Sequence, residues 1–264
     1  MTPCRYLRDG KIFKATTSEK LLSAEPFDGW RSLNLEKFAN RDSLAFGPLY
    51  NIDGEAHTIY RGTLRFQGWC ELIHDLSLLG LIDSSTAPLV DSSGETWGQL
   101  IGSTAEIESK LLSHGASHNR VENIQRTLSY LGALPDAQLP EGCGDAADAF
   151  CSLLTNRLSL KPGEHDLIVM HHDFEFEYPD ESFRREHHVS SLLAFGDNST
   201  TAMAKTVGFT AAIGTDLVLD GFLDKHPGVA TPMLREVYIP GLQRLADEGV
   251  VFRERSEILS EVQK

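Results

Sequence analysis

The chain has 264 residues, 41% of them hydrophobic, and a formal net charge of −14, which allows one large domain or two smaller ones and shows no compositional sign of disorder. The acidic balance argues against a nucleic-acid partner, because phosphate binding needs clustered Lys and Arg. Four scattered cysteines (Cys4, Cys70, Cys143, Cys151) without a CxxC pair exclude a disulfide framework or structural zinc as an expectation, and no apolar run approaches the roughly 20 residues of a membrane span.

In chain order, Tyr6-Leu7-Arg8-Asp9-Gly10-Lys11-Ile12-Phe13 reads as a hairpin turning at Asp9-Gly10. A loop-like segment follows, in which Asn40 to Ser43 are expected to cap a short helical stretch at 44–50. A strand is predicted over 58–66. From 68 to 160 the period becomes helical: Leu72, Leu76 and Leu79; Ile101, Ile107, Leu111 and Leu112; Ile124, Leu128 and Leu131; Phe150, Leu153, Leu154 and Leu158. Loops at 83–86 and 134–144 separate these pieces, and the region reads as an inserted all-helical unit.

Extended runs at 167–178 and 183–195 then form a second hairpin, joined by Pro179-Asp180-Glu181-Ser182. A long helix is expected next, capped by Asn198 or Ser199 and stopped by Gly221. Its small residues Ala204, Gly208, Ala212 and Gly214 would let another element pack closely. A helix at 240–248 and a short apolar strand, Val250-Val251-Phe252, close the pattern. The fold class is α+β, with mixed or antiparallel sheet in 1–67 and 161–197, the helical insert at 68–160, and C-terminal helices in 198–264.

Alternation along 58–66 puts Ile59, Arg61, Thr63 and Arg65 on one face, about 6.6 Å apart, and turns Tyr60, Leu64 and Phe66 toward the core. That row is either an anion clamp, since guanidinium forks bind carboxylates bidentately, or a solvated face of paired surface charges. His171, His172, Asp173, His187 and His188 fall on the second hairpin. Pairing Tyr178 with Phe183 would set Asp173 opposite His188 as a hydrogen-bonded pair. A metal site is disfavoured, because neighbours on a strand point to opposite faces. Gly142-x-Gly144-x-x-Ala147 matches the dinucleotide fingerprint formally, but no strand precedes it, so it reads as a loop opening a helix. Cys70, beside Trp69, reads as a small buried residue.

At these same residues the chain resembles saccharopine dehydrogenase of the glutamate-forming type. The resemblance rests on Leu33-Asn34-Leu35-Glu36 and Asn40-Arg41-Asp42-Ser43, then Arg61-Gly62-Thr63-Leu64-Arg65-Phe66-Gln67-Gly68. It continues through Pro162-Gly163-Glu164, Asp166-Leu167-Ile168-Val169-Met170, Ala202-Met203-Ala204-Lys205-Thr206-Val207-Gly208, Asp220-Gly221 and Val237-Tyr238-Ile239-Pro240. Ala39 stands where a Pro is usual before the Asn-Arg-Asp motif. The resemblance implies saccharopine contacts from Arg41, Thr63, Leu64 and Arg65, with Arg61 only a neighbour. Saccharopine carries three carboxylates, so the resemblance favours the clamp over the solvated face.

The resemblance also implies oxidative cleavage of saccharopine, with NAD or NADP, to glutamate and 2-aminoadipate 6-semialdehyde in lysine metabolism. The cofactor belongs to an N-terminal Rossmann domain, in the same or a separate chain. Position 1 corresponds to a point beyond that domain, so no cofactor and no catalytic acid–base group is expected in this stretch. The helix at 199–221 is then expected to pack toward the cofactor domain, and a homodimer is compatible with the family. Two further readings are a non-catalytic amino-acid-binding module and a structural subunit completing a separate Rossmann chain. The opening residues hold no signal-peptide core, and Asp9 and Glu19 fit a transit peptide poorly. The expected compartment is the cytoplasm or mitochondrial matrix.

Overall fold

Asp9 and Gly10 both adopt positive φ, 50° and 72°, as a two-residue type I′ turn requires. They join β1 (Cys4–Arg8) to β2 (Lys11–Ala15), with Arg8 opposite Lys11, and the first hairpin is as expected. A computed structural model describes residues 3–82, 94–178 and 184–260. The expected loops at 83–86 and 179–182, and Phe183, lie outside them. The chain divides into one unit at Met1–Ser159 and another at Leu160–Lys264.

In the first unit the segment read as loop-like contains regular structure. Thr16 and Glu19 form a capping box for α1 (Thr17–Leu22). A three-stranded antiparallel sheet follows, ordered β3 (Glu25–Phe27), β4 (Leu35–Ala39), β5 (Gly62–Phe66). The strand expected over 58–66 is therefore shorter, because Arg61 N donates to Ser43 Oγ (3.0 Å) and residues 60–61 lie outside any strand. The short helix α2 (Phe46–Tyr50) starts after Ala45 without a side-chain cap. The expected cap is corrected accordingly: Asp42 Oδ1 accepts from Leu44 N (3.0 Å) and closes a turn one step earlier.

Five helices follow, as the periodicity predicts: α3 (Trp69–Leu78), α4 (Trp97–Ile101), α5 (Thr104–Ser113), α6 (His118–Leu131) and α7 (Ala146–Leu158). Leu76, Trp97, Leu111, Ile124 and Phe150 share their core. One charged cluster is buried beside it. Asp75 on α3 accepts from Arg120 Nε of α6 (3.0 Å) and from Arg120 Nη2, and the His74 ring nitrogen lies 3.3 Å away.

In the second unit β6 (Leu167–Tyr178), β7 (Arg184–Phe195) and β8 (Arg253–Ser260) form an antiparallel sheet in that order. The third strand is not the apolar run at 250–252. Val250 instead closes α9 (Arg235–Asp247): its N–H reaches Leu245 O (2.9 Å) after Gly249 turns at φ 80°. Its burial is thus the hydrophobic contact of a Schellman cap. Nor does α9 start at Pro240, which lies inside it. A Pro favours the first turn of a helix but here follows five residues already helical.

The long helix begins at Ala202 and passes through a π turn at Ala204–Gly208 into α8 (Phe209–Leu219). Its first amides are capped by the Asp166 carboxylate, which accepts from Ala202 N (2.7 Å) and Met203 N (2.8 Å). The expected caps Asn198 and Ser199 are displaced because Asp197 folds residues 197–200 into their own turn. Gly221, at φ 81°, ends the helix as expected. Among the described residues no helix is long and apolar enough to cross a membrane.

Tyr178 pairs with Arg184, not Phe183, so Asp173 opposes Val189. This one-residue slip moves every side chain to the other face, and the Asp173 partner becomes His187 instead of His188. The His187 ring spans all three strands, with Nε2 3.0 Å from Asp173 Oδ1 and Nδ1 3.2 Å from Glu257 Oε1. Glu257, then Asp173, raise its pKa. A raised folded-state pKa adds stability that is fully present below the unfolded value, about 6.5, and is lost as pH rises through the folded value. The melting-temperature gap between wild type and His187→Gln should therefore be wider at pH 6 than at pH 9; an unchanging gap would remove the charged bridge from this account.

Candidate functional site

The central strand β4 organises the first unit. Glu36 is buried because α3 begins above it: Oε2 accepts from Gly68 N (3.1 Å) and Oε1 from Cys70 N (2.7 Å). A carboxylate at a helix N-terminus satisfies orphan amides and the helix dipole, and here it comes from a neighbouring strand. Burial, with help from Glu36, pushes the Cys70 thiol up to about 12, so Cys70 is the inert buried residue expected of it.

Residues opposite each other on paired strands share a face. Arg65 opposes Glu36 and Thr63 opposes Phe38. Trp69 of α3 stacks on Phe38 at 5.8 Å, and the Arg65 guanidinium lies 5.0 Å from the Trp69 ring centroid. The start of α3 therefore covers the face that carries Thr63 and Arg65. The expected orientation is corrected: Phe66, assigned to the core side, is 63% exposed, and Leu64 is half-buried. Arg65 also donates from Nη1 to Leu64 O (2.8 Å), which holds it against its own strand. Gly62 opens β5, and a Cβ there would fall 2.8 Å from the Tyr60 ring, so any side chain would have to displace that ring.

Arg41 lies one residue beyond the end of β4, after Asn40, and has φ 50°, an uncommon conformation for a residue with a side chain. The flanking backbone holds it there. Asn40 N donates to Arg61 O (2.9 Å), Arg5 N to Arg41 O (3.0 Å), and Ser43 N to Arg5 O (2.7 Å). The loop 40–43 is thus fastened to β1 on one side and to the start of β5 on the other. Arg41 lies at the Arg61 end of β5, and Arg65 lies four residues farther, roughly 13 Å along the strand.

The charges divide into two groups. Arg5 pairs with Asp42, Arg8 with Glu25 and Arg31 with Asp28. Arg41, Arg61 and Arg65 have no acidic partner among the described residues. Arg61 lies over the Phe46 ring at 5.5 Å. The nearby acids are already occupied, Glu36 by the α3 amides and Asp42 by Arg5 and Leu44 N. Arg5 holds the Asp42 carboxyl below the usual carboxylate range. The Thr63 hydroxyl also has no partner among the described residues. The arrangement offers guanidinium donors at two ends of a strand and a hydroxyl between them, which suits an extended ligand bearing more than one carboxylate.

The family resemblance singled out Arg41, Thr63, Leu64 and Arg65, and strand alternation the row Ile59, Arg61, Thr63 and Arg65; neither pointed to a role for Glu36, Arg5 or the ring of Trp69. Glu36 and Arg5 act across 34 and 37 positions of sequence, a distance at which no local pattern signals a contact.

A dinucleotide does not fit the glycine-containing loop at 142–144. Asp145 caps α7 through Asp148 N (2.8 Å), and Gly144 N is taken by Asp148 Oδ2 (3.0 Å). The amides that would cradle a pyrophosphate already serve carboxylates, which would also repel it. Among the described residues no cluster of His, Cys, Asp or Glu has the arrangement of a metal site.

A profile of the saccharopine dehydrogenase C-terminal domain matches residues 1–250. Alpha-aminoadipic semialdehyde synthase of Arabidopsis thaliana is 35% identical over 278 residues, in a match covering 97% of this chain and 26% of that protein. The NADP(+), L-glutamate-forming saccharopine dehydrogenase of Saccharomyces cerevisiae is 30% identical over 263 residues, covering 96% of this chain and 58% of the enzyme. The solved apo structure of saccharopine dehydrogenase (L-Glu forming) from Saccharomyces cerevisiae superposes with a TM-score of 0.81 at 29% identity, covering 97% of this chain and 59% of that one. The chain thus spans about a quarter of the plant relative and under two thirds of the yeast one.

Proposed function

The chain belongs to the saccharopine dehydrogenase C-terminal domain family, and from that premise we propose that it supplies the carboxylate-binding half of a saccharopine site. The complete enzyme would cleave saccharopine oxidatively, with NAD or NADP, to glutamate and 2-aminoadipate 6-semialdehyde. The observation that carries this reading is the set of arginines without acidic partners on the 40–43 loop and β5. Arg41 and Arg65 grip carboxylates through charge-assisted hydrogen bonds, Thr63 donates its hydroxyl, and Leu64 supplies apolar contact and main-chain polar groups. The spacing along β5 suits a long tricarboxylate better than glutamate alone. These residues bind and orient, and the redox chemistry falls to a cofactor-binding domain in the same or a separate chain, in the cytoplasm or mitochondrial matrix.

The surface of α8 supports the placement of that domain. The helix is apolar around much of its circumference, yet Val207, Val218 and Leu219 on this segment are 59%, 54% and 79% exposed. An apolar helix exposed in this way needs a partner, and we assign that partner to the cofactor-binding domain. The chain alone should therefore bind a hydrophobic dye or self-associate; a monomeric preparation that leaves the dye dark would contradict the assignment.

Calorimetric titration of the chain with saccharopine, and separately with glutamate, tests the binding function. Saccharopine is expected to bind and glutamate to bind far more weakly. Equal affinity for the two would contradict the two-ended site.

A further inference from the structure

Arg41 is followed in sequence by an acid, Asp42, which is within reach of neutralising it. The structure keeps the two apart. Arg5 Nε donates to Asp42 Oδ2 at 3.0 Å, Arg5 Nη2 donates to the same oxygen, and the other oxygen accepts from Leu44 N at 3.0 Å. Both carboxylate oxygens are therefore committed. Arg41 retains no acidic partner among the described residues.

We propose that Arg5 is a positioning residue for substrate: by holding Asp42, it keeps the Arg41 guanidinium free for a substrate carboxylate. The inference rests on the reading of Arg41 as a saccharopine contact. Arg5 has two roles that substitution separates. Its backbone N–H and C=O fasten residues 41 and 43 and survive any side-chain change. Its guanidinium holds Asp42, and only that contact is lost in Arg5→Met. Without it, Asp42 is left to pair with the adjacent Arg41 and competes with the ligand. This is interference by an unwanted ion pair, not loss of a support, and the two differ in how they respond to a second substitution.

The test is saccharopine titration of the full chain and four variants, combined with the Arg41 Nε–H resonance recorded without ligand. Arg5→Met is expected to weaken binding roughly tenfold, the value of about one charge-assisted hydrogen bond, and to shift the Arg41 resonance as it pairs with Asp42. Adding Asp42→Asn to Arg5→Met should restore affinity to within about twofold and return the resonance, because Asn keeps an acceptor for Leu44 N but carries no charge. Arg5→Lys should retain most of the affinity. A purely structural Arg5 predicts the opposite for the double variant, a further loss; that result, or an Arg41 resonance indifferent to Arg5→Met, overturns the proposal. Arg41→Ala is the control for the underlying reading. If it leaves saccharopine affinity unchanged, the assignment of Arg41 has failed, while the ligand-free resonance still reports on whether Arg5 keeps Asp42 from Arg41.

Discussion

Replacing Arg41 and Arg65 together by alanine is expected to reduce saccharopine affinity by roughly 10²- to 10⁴-fold. Each arginine is assigned one carboxylate, and a hydrogen bond to a charged group contributes about 1.5–3 kcal/mol, or roughly 10- to 150-fold in binding. The two arginines sit on separate segments, the 40–43 loop and β5, and share no partner among the described residues, so their effects should add nearly independently. Arg65→Ala also removes the guanidinium from the Trp69 ring, and a fold check must accompany it. Arg65→Lys keeps the charge and loses the planar fork, and should fall between wild type and alanine. Equal affinity of wild type and the double variant would remove both residues from the site.

Arg120→Ala should destabilise the first unit by about 3–5 kcal/mol, since it leaves the Asp75 carboxylate buried without its cation. The Asp75 side chain is 2% exposed and the Arg120 side chain 19%, so water does little to screen the pair. Asp75 in turn raises the Arg120 pKa, as expected of a guanidinium donating two hydrogen bonds to one carboxylate. The same clamp joins α3 to α6, and α3 carries Trp69 and the amides that occupy Glu36. Loss of the clamp therefore weakens the support beneath Arg65 from a distance. Combining Arg120→Met with Asp75→Asn should recover much of the stability, because no buried charge remains. Chemical denaturation measures both variants, and a loss under about 1 kcal/mol for Arg120→Ala would mean that water reaches Asp75 despite its burial.

The helical half of the first unit was legible in the sequence because Leu72 through Leu158 keep the 3.6-residue period, and α4 to α7 carry their own side-chain caps at Thr96, Ser103, Ser117 and Asp145. The turn at Asp9-Gly10 was legible for a similar reason, its chemistry being local. The central strand β4 was not. Glu36 and Lys37 interrupt the apolar residues of Leu35–Ala39, and Glu36 reads as exposed until α3 is seen above it. Phe66 was placed on the core side for a similar reason: it has more apolar surface than Thr63, yet the start of α3 lies on the Thr63 side and Phe66 is left exposed. The residues of the candidate site were visible as motifs, but their charge state was not. Whether Arg41 is free depends on Arg5, 36 positions earlier in the chain, and on a contact made only by folding. The His187 bridge was displaced by one register step, which hydrophobic alternation alone does not fix.

The most direct measurement is a backbone and arginine-side-chain resonance map of the chain titrated with saccharopine. The account predicts that saturable shifts concentrate on residues 40–43, on Arg61 to Arg65, and on Trp69, with Arg41 and Arg65 Nε–H moving most. Saturable shifts confined to the second unit, or none in a folded chain, would contradict a preformed carboxylate site on this strand.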